Sequence, residues 1–227
     1  MEGIKVSKKF IMSYSCGKDS TLALSRMIEE GHIPVALLIT VDKKICRSWF
    51  HGVPENLLND VSKSLNIPLL LVKCEGEEYG VKFKETLLLA KNEFGAEACV
   101  FGDIDLEAHR EWCTHRCDEA GMEAIFPLWN EGREELTHEF IDRGFKTVIK
   151  NVKLEFLGTE FLGKVLTKEV VSDIKATGAD PCGENGEYHT FVYDGPLFKF
   201  PIKFTTKGKI TNETHGFLDI EAKINGK

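Results

Sequence analysis

The chain has 227 residues, 42% of them hydrophobic and 29% charged, and a formal net charge of -7 at pH 7. That length suffices for one large domain or one and a half, and the acidic balance argues against a non-specific nucleic-acid binder while leaving room for a local basic cleft. Seven cysteines without a framework pattern suit a reducing compartment; no apolar run approaches the ~20 residues of a membrane span, and the first ten residues hold no stretch of signal-peptide length, so a cytoplasmic protein with no membrane partner is expected.

Five short apolar runs, 9–15, 35–41, 68–74, 98–104 and 124–129, have the character of strands buried on both faces of a parallel sheet. Helical patterns fill the intervals over 20–30, 54–65, 79–94 and 106–120, with Gly31 and Gly121 as stop signals. This alternation predicts an α/β fold with a doubly wound parallel sheet for residues 1–130. After Gly132 the rhythm changes to a helix over 133–143, a strand over 147–154 and a helix over 167–177. Aromatic-rich β-hairpin material follows, with Asp194-Gly195 as its turn signal. Residues 131–227 are therefore expected to form a smaller C-terminal α+β lobe. No internal repeat or low-complexity linker is present.

The first strand runs into "SCGKDS", residues 15–20, at the edge where open α/β sheets bind ligands. Backbone N–H groups and the dipole of a helix start favour an anion there. Gly17 permits close approach, Lys18 adds positive charge, and Ser15 and Ser20 offer hydroxyls. The spacing is not that of a Walker A loop: Met12 stands where that loop needs its first glycine, and Asp19 stands where Ser or Thr should follow the lysine. An acid beside a phosphate is repulsive unless it helps hold a cation such as Mg²⁺, which makes Asp19 the candidate metal ligand. A plain strand–helix turn capped by Ser and Asp is the alternative, and the loop alone does not decide between them. Cys16 would be costly at positive φ; its thiol, close to an anion-binding helix start, could have a lowered pKa, and no catalytic role is assigned to it.

A second cluster lies in "DPCGENGEYHTFVYDGPLFK", residues 180–199, where Glu184, Glu187 and His189 gather around Gly183 and Gly186. Two carboxylates and an imidazole could bind a cation, bind an amine or move protons; a solvated hairpin loop is the bland alternative. Gly102 and Asp103 end the fourth strand at the same edge as the first loop. Asp103 and Asp105 could reach a metal or a ribose, with N-capping by Asp105 at least as good an account. His51, before Gly52, is either a substrate or nucleotide contact or a surface-loop histidine. His109, Cys113 and Cys117 share one helical stripe. Three ligands over two turns diverge too far to share an ion, so core-facing cysteines are expected.

"SCGKDS" resembles the SGGKDS loop of the ATP pyrophosphatases, the PP-loop superfamily with its Rossmann-like, adenine nucleotide alpha-hydrolase-like fold. Together with "FHGVP" (50–54), "FGDIDLEAHR" (101–110), "FPLW" (126–129), "FLGKVL" (161–166) and the acidic signature, most of the chain is similar to the diphthine–ammonia ligase family. "GDIDLEAHR" and the histidine of "GEYHT" look like its bacterial-type branch. The resemblance implies an amide ligase that adenylates a carboxylate, releases pyrophosphate, and lets ammonia displace AMP. It implies ATP and Mg²⁺ as cofactors. The catalytic residues would be Lys18, Asp19, Glu184, Glu187 and His189. Nucleotide contacts would come from Ser15, Cys16, Gly17, Lys18, Asp19, Ser20, His51, Gly102 and Asp103, with Asp19 on the metal. The partners implied are ammonium and a carboxylate acceptor, in archaea and eukaryotes a modified histidine on elongation factor 2; a bacterial host would need another acceptor. A homodimer is compatible with the sequence. The competing functions are a tRNA-modifying thiolase of the same superfamily, for which Cys182 is the candidate catalytic cysteine, and a non-catalytic ATP-binding sensor.

Overall fold

The computed structural model describes residues 7–223, so the start of the N-terminal stretch considered above for export lies outside the described residues. Strands β1 (Lys9–Ser13), β2 (Ile33–Asp42), β3 (Arg47–Ser48), β4 (Leu69–Cys74), β5 (Ala98–Val100) and β6 (Glu123–Ile125) form the first sheet. Its parallel strands run in the order β4-β2-β1-β5-β6, and β3 lies antiparallel to the end of β2. The chain winds outward from β1 to β4, then returns to the other side of β1, so the switch point of this doubly wound sheet falls at the carboxyl end of β1. Helices α1 (Lys18–Glu29), α2 (Glu55–Leu65), α3 (Tyr79–Phe94) and α4 (Glu107–Ala120) fill the crossovers.

β1 shows why the apolar runs are continuous. Phe10 and Met12 join one core with Leu22, Leu57 and Val61, while Ile11 joins the opposite core with Phe83, Leu87 and Cys117. A strand covered on both faces needs apolar residues at every position. β5 ends earlier than its apolar run because the chain leaves the sheet at Gly102, whose backbone rests on the first turn of α1. A Cβ there would stand 2.7 Å from the Ser20 nitrogen.

The rest of the chain contributes α5 (Arg133–Asp142), β7 (Lys146–Lys153), α6 (Lys168–Ala176), β8 (Tyr188–Asp194), β9 (Phe204–Thr211) and β10 (His215–Ala222). These strands form an antiparallel sheet in the order β8-β7-β10-β9. The hairpin expected at Asp194-Gly195 is not formed. β8 pairs with β7 instead, and residues 195–203 cross to α2, where the Lys199 and Phe200 N–H groups donate to the Ser64 carbonyl and Oγ. The hairpin is β9–β10, whose turn is set by Asn212 Oδ1 accepting from the N–H groups of Thr214 and His215. Both sheets contribute to one core, in which Phe10 and Met12 share a cluster with Phe140, Ile149, Phe191 and Ile220. Among the described residues no helix is long and apolar enough to cross a membrane.

Candidate active site

The loop after β1 is shaped by its contacts with β8. Cys16 adopts the left-handed conformation (φ 65°), and its carbonyl accepts the Val192 N–H at 2.8 Å. The Lys18 N–H donates to Thr190 Oγ1 at 3.1 Å, and His51 Nδ1–H donates to the Thr190 carbonyl at 2.6 Å. Gly17 is the N-cap of α1 and has no side chain to cap with, while its N–H donates to Ser15 Oγ at 3.2 Å. A Cβ at Gly17 would overlap His51 Cε1, so only glycine lets the imidazole lie against the loop. Ser15 and Ser20 bond to each other at 3.0 Å, and Ser20 Oγ donates to the Gly17 carbonyl. The lowered thiol pKa considered for Cys16 is not found: the side chain is fully buried, and burial pushes the thiol well up.

Lys18 is buried, and its Nζ donates to both carboxylate oxygens of Asp19, at 2.7 and 2.9 Å. Burial is the largest single influence and opposes its charge, but Asp19 together with Cys182 and Tyr188 outweighs burial, and the ammonium is held well above the ordinary lysine pKa. Glu184 Oε1 accepts the Ile104 N–H at 3.3 Å. Burial, and next the charge of Asp19, push the Glu184 carboxyl up to about 7. His189 and His51 are held down to about 4 and about 3, chiefly by burial, and their rings lie 4.8 Å apart. Both are therefore neutral at pH 7. Asp103 accepts from His109 Nδ1 at 3.2 Å, which raises the pKa of that imidazole.

Arg133, at the start of α5, ties this region together. It donates to both Asp105 oxygens, at 2.6 and 2.7 Å, and to Asp180 Oδ2. Asp180 in turn accepts from the N–H groups of Cys182 and Glu184. The N-capping expected of Asp105 is thus corrected: Leu106 is the N-cap of α4, without a side-chain cap bond, because Asp105 is taken by the guanidinium. Glu187 is also placed differently from expectation. Its carboxylate is buried and accepts from the Asn185 N–H at 3.1 Å and from Asn185 Nδ2 at 3.3 Å, so it braces its own loop.

A cavity of about 270 Å³ opens between these elements. Of the expected site residues, Ser15, Lys18, Asp19, Ser20, His51, Gly102, Asp103, Glu184 and His189 line it, whereas Cys16, Gly17 and Glu187 stand behind its wall. Sequence reasoning missed the aromatic side of the cavity, Trp49, Phe50 and Tyr79, although the first two directly precede His51. It also missed Thr190 and Arg133, which no local pattern marks. Cys182 Sγ donates to Asp19 Oδ1 at 3.5 Å, and burial, then Asp19, push its thiol up to about 12. Such a thiol is not a nucleophile at neutral pH. Cys113 and Cys117 face the core as expected, but His109 leaves their stripe for the cavity rim. Among the described residues no group of three or more His, Cys, Asp or Glu could hold a metal ion by itself. Mg²⁺ usually takes only one or two carboxylates, its other ligands being phosphate and water oxygens, and Asp19 and Asp103, which both line the cavity, have that chemistry.

Residues 8–124 match the family model described as the diphthamide synthase N-terminal domain, and residues 132–225 match the one described as the diphthamide synthase C-terminal domain. The diphthine–ammonia ligase of Rattus norvegicus is 27% identical over 233 residues, covering 91% of this chain and 86% of that protein. The Homo sapiens diphthine–ammonia ligase is 29% identical at the same coverage. A solved structure titled as a predicted subunit of a tRNA methyltransferase from Methanocaldococcus jannaschii covers 86% of this chain and 100% of its own, at a TM-score of 0.44 and 17% identity.

Proposed function

The chain belongs to the diphthamide synthase family, and from that premise we propose that it is an ATP-dependent ligase that converts a diphthine-type carboxylate to its amide with ammonia. ATP would enter the cavity with its phosphates on the loop between β1 and α1, where Lys18 and the start of the helix offset their charge. Asp19 would hold Mg²⁺ there, the ion neutralising the departing pyrophosphate. The acceptor carboxylate would attack the α-phosphate, giving an acyl-adenylate from which ammonia expels AMP. On this assignment residues 1–130 hold the nucleotide and residues 131–227 supply most of the acceptor side.

One observation carries the proposal: a carboxyl group held near 7, Glu184, lines the same cavity as the Lys18–Asp19 pair. Ammonium must lose a proton before it can attack, and a base with a pKa near the working pH is suited to take it. His189 is neutral and orients the nucleophile. Glu187 acts at one remove, by fixing the turn that presents Glu184. The thiolase alternative lacks support, since Cys182 is held as a thiol.

The test combines the protein with Mg-ATP, ammonium and diphthine-bearing elongation factor 2, and measures AMP, pyrophosphate and conversion of acid to amide. ADP as the product sinks the proposal. In the wild type, kcat/KM calculated per ammonium ion should rise through pH 7. Glu184→Gln should lose about 10²–10⁴-fold in kcat and lose that limb of the profile. An unchanged limb in the variant would remove Glu184 from the role of base.

A further inference from the structure

β7 carries one residue more than β8 where the two pass the cavity. Ile149 pairs with Thr190 and Asn151 pairs with His189, which leaves Lys150 as a β-bulge. Bulges re-aim side chains, and here two neighbours reach the same loop. Asn151 Nδ2 donates to the Phe50 carbonyl, and the Lys150 Nζ lies beside Gly52. Lys150 is only 2% exposed, yet among the described residues its ammonium has no hydrogen-bond or ion-pair partner.

The charged and titratable groups facing Lys150 are Arg47, Asp219 and His51. Arg47 is occupied: it donates to Asp219 Oδ1 at 2.9 Å and to the Gly52 carbonyl at 3.2 Å. With His51 neutral, two cations and one carboxylate leave one positive charge uncompensated on a side chain almost withdrawn from solvent. Such a charge is costly unless something pairs with it. Burial, then Arg47, hold Lys150 down to about 8, so it is still largely charged at pH 7.

Gly52 packs directly against this ammonium. A Cβ built on Gly52 would have one neighbour within 4 Å, chain neighbours aside, and that neighbour is Lys150 Nζ at 3.6 Å. Gly52 and Asn151, though not Lys150 itself, line a groove that shares Ser48, Trp49 and Phe50 with the cavity described above. We infer that the groove at Gly52, beside the Lys150 ammonium, is a carboxylate-binding subsite that receives the acceptor's carboxyl group next to the nucleotide. The inference rests on the ligase reading for the identity of the acceptor, but not for the existence of the subsite. A single uncompensated charge matches a monovalent carboxylate better than a phosphate dianion. Adenylation would abolish the carboxylate's charge and with it the attraction to Lys150, freeing the activated group to move to the attacking ammonia.

The subsite is tested first without any acceptor protein. The full chain, labelled with [¹³Cε]lysine, is titrated by NMR with sodium acetate and, separately, with inorganic phosphate at constant ionic strength. One lysine resonance, absent from Lys150→Met, should titrate near 8, and saturating acetate should raise its pKa by about one unit or more, as an opposite charge within a few ångströms does. A resonance indifferent to acetate, or one that binds phosphate more tightly, overturns the subsite. With diphthine-bearing elongation factor 2, Lys150→Met should raise KM for that acceptor at least about tenfold and leave KM for ATP unchanged, and Lys150→Arg should recover part of the loss. An unchanged acceptor KM in Lys150→Met also overturns it. Absence of turnover by the wild type would count against the ligase reading instead, and the acetate titration would then decide the subsite alone.

Discussion

Gly102 works by what it lacks. The Cβ of an alanine there would stand 2.7 to 2.9 Å from backbone atoms of Asp19 and Ser20, which cannot swing aside as a side-chain tip could. Gly102→Ala should therefore push the first turn of α1 off β5, lower stability by about 1–3 kcal/mol, and weaken ATP binding together with it. Thermal denaturation and nucleotide titration check this, and an unchanged Tm with full ATP affinity contradicts the close-contact account. Lys18, Asp19, Glu184 and His189 were picked out in the sequence by their chemistry together with the resemblance of their loops, and all four line the cavity. Glu184 and Glu187 could not be told apart in the sequence. Their different places come from Asn185, which turns both of its donors onto Glu187 and leaves Glu184 to the cavity. Thr190 was not legible at all, because its importance lies in partners on the loop after β1 and at His51, 172 and 139 residues away.

At the scale of elements, α5 enters the site through its first residue. Arg133 joins the turn before α4 to the acidic loop, and its partner Asp180 has a side chain only 9% exposed. Arg133→Met leaves that carboxylate buried and unpaired, a kind of loss that costs about 3–5 kcal/mol for a buried pair and less where solvent reaches one partner, as it does here. The variant should lower Tm and blunt the pH dependence assigned to Glu184, because the Glu184 N–H rests on Asp180. Normal pH dependence with a lowered Tm would confine Arg133 to stability. Most of the helices and strands lay within a few residues of their expected bounds, since burial on two faces and helix periodicity are local signals. The pairing of β8 was not local. Asp194-Gly195 has the composition of a hairpin turn, but Gly195 packs against Phe145 and the chain goes on to α2 before β9 begins.

Over the whole molecule, the two sheets meet through neutral imidazoles, which fixes how stability responds to acid. His51 and His189 are held near 3 and 4, below the ordinary 6.5, so the unfolded chain takes up their protons first. Their contribution is whole above pH 6.5 and is lost as pH falls from 6.5 through 4 towards 3. Glu184, raised to about 7, acts with the opposite sign: its contribution is present below 4.5 and lost as pH rises through 7. The two buried histidines outweigh Glu184 and the more exposed His109, whose raised pKa also gains on acidification, so Tm should fall from pH 6.5 to 5 by a difference worth on the order of 1 kcal/mol. His189→Asn should flatten that slope, and a Tm independent of pH across this range in the wild type would contradict the burial of the pair. The doubly wound sheet was legible in outline, whereas its sharing of one core with the second sheet was not, because no segment's periodicity reveals which distant face will cover it.

The bonds from Cys16 and His51 to β8 also have a consequence for association. β8 is an outer strand of its sheet, and the polar groups it would offer to a foreign strand, the Thr190 carbonyl and the Val192 N–H, are taken by His51 and by Cys16 in the loop after β1. At the opposite border β9 is exposed and is guarded by Lys207 and Lys209, the usual deterrent to edge-to-edge pairing. One border is thus protected by charge and the other by the loop that would hold ATP. Damage to that loop should therefore expose a sticky seam: Gly17→Ala is expected to scatter light on warming earlier than a surface substitution of equal Tm, and added nucleotide should delay its clouding.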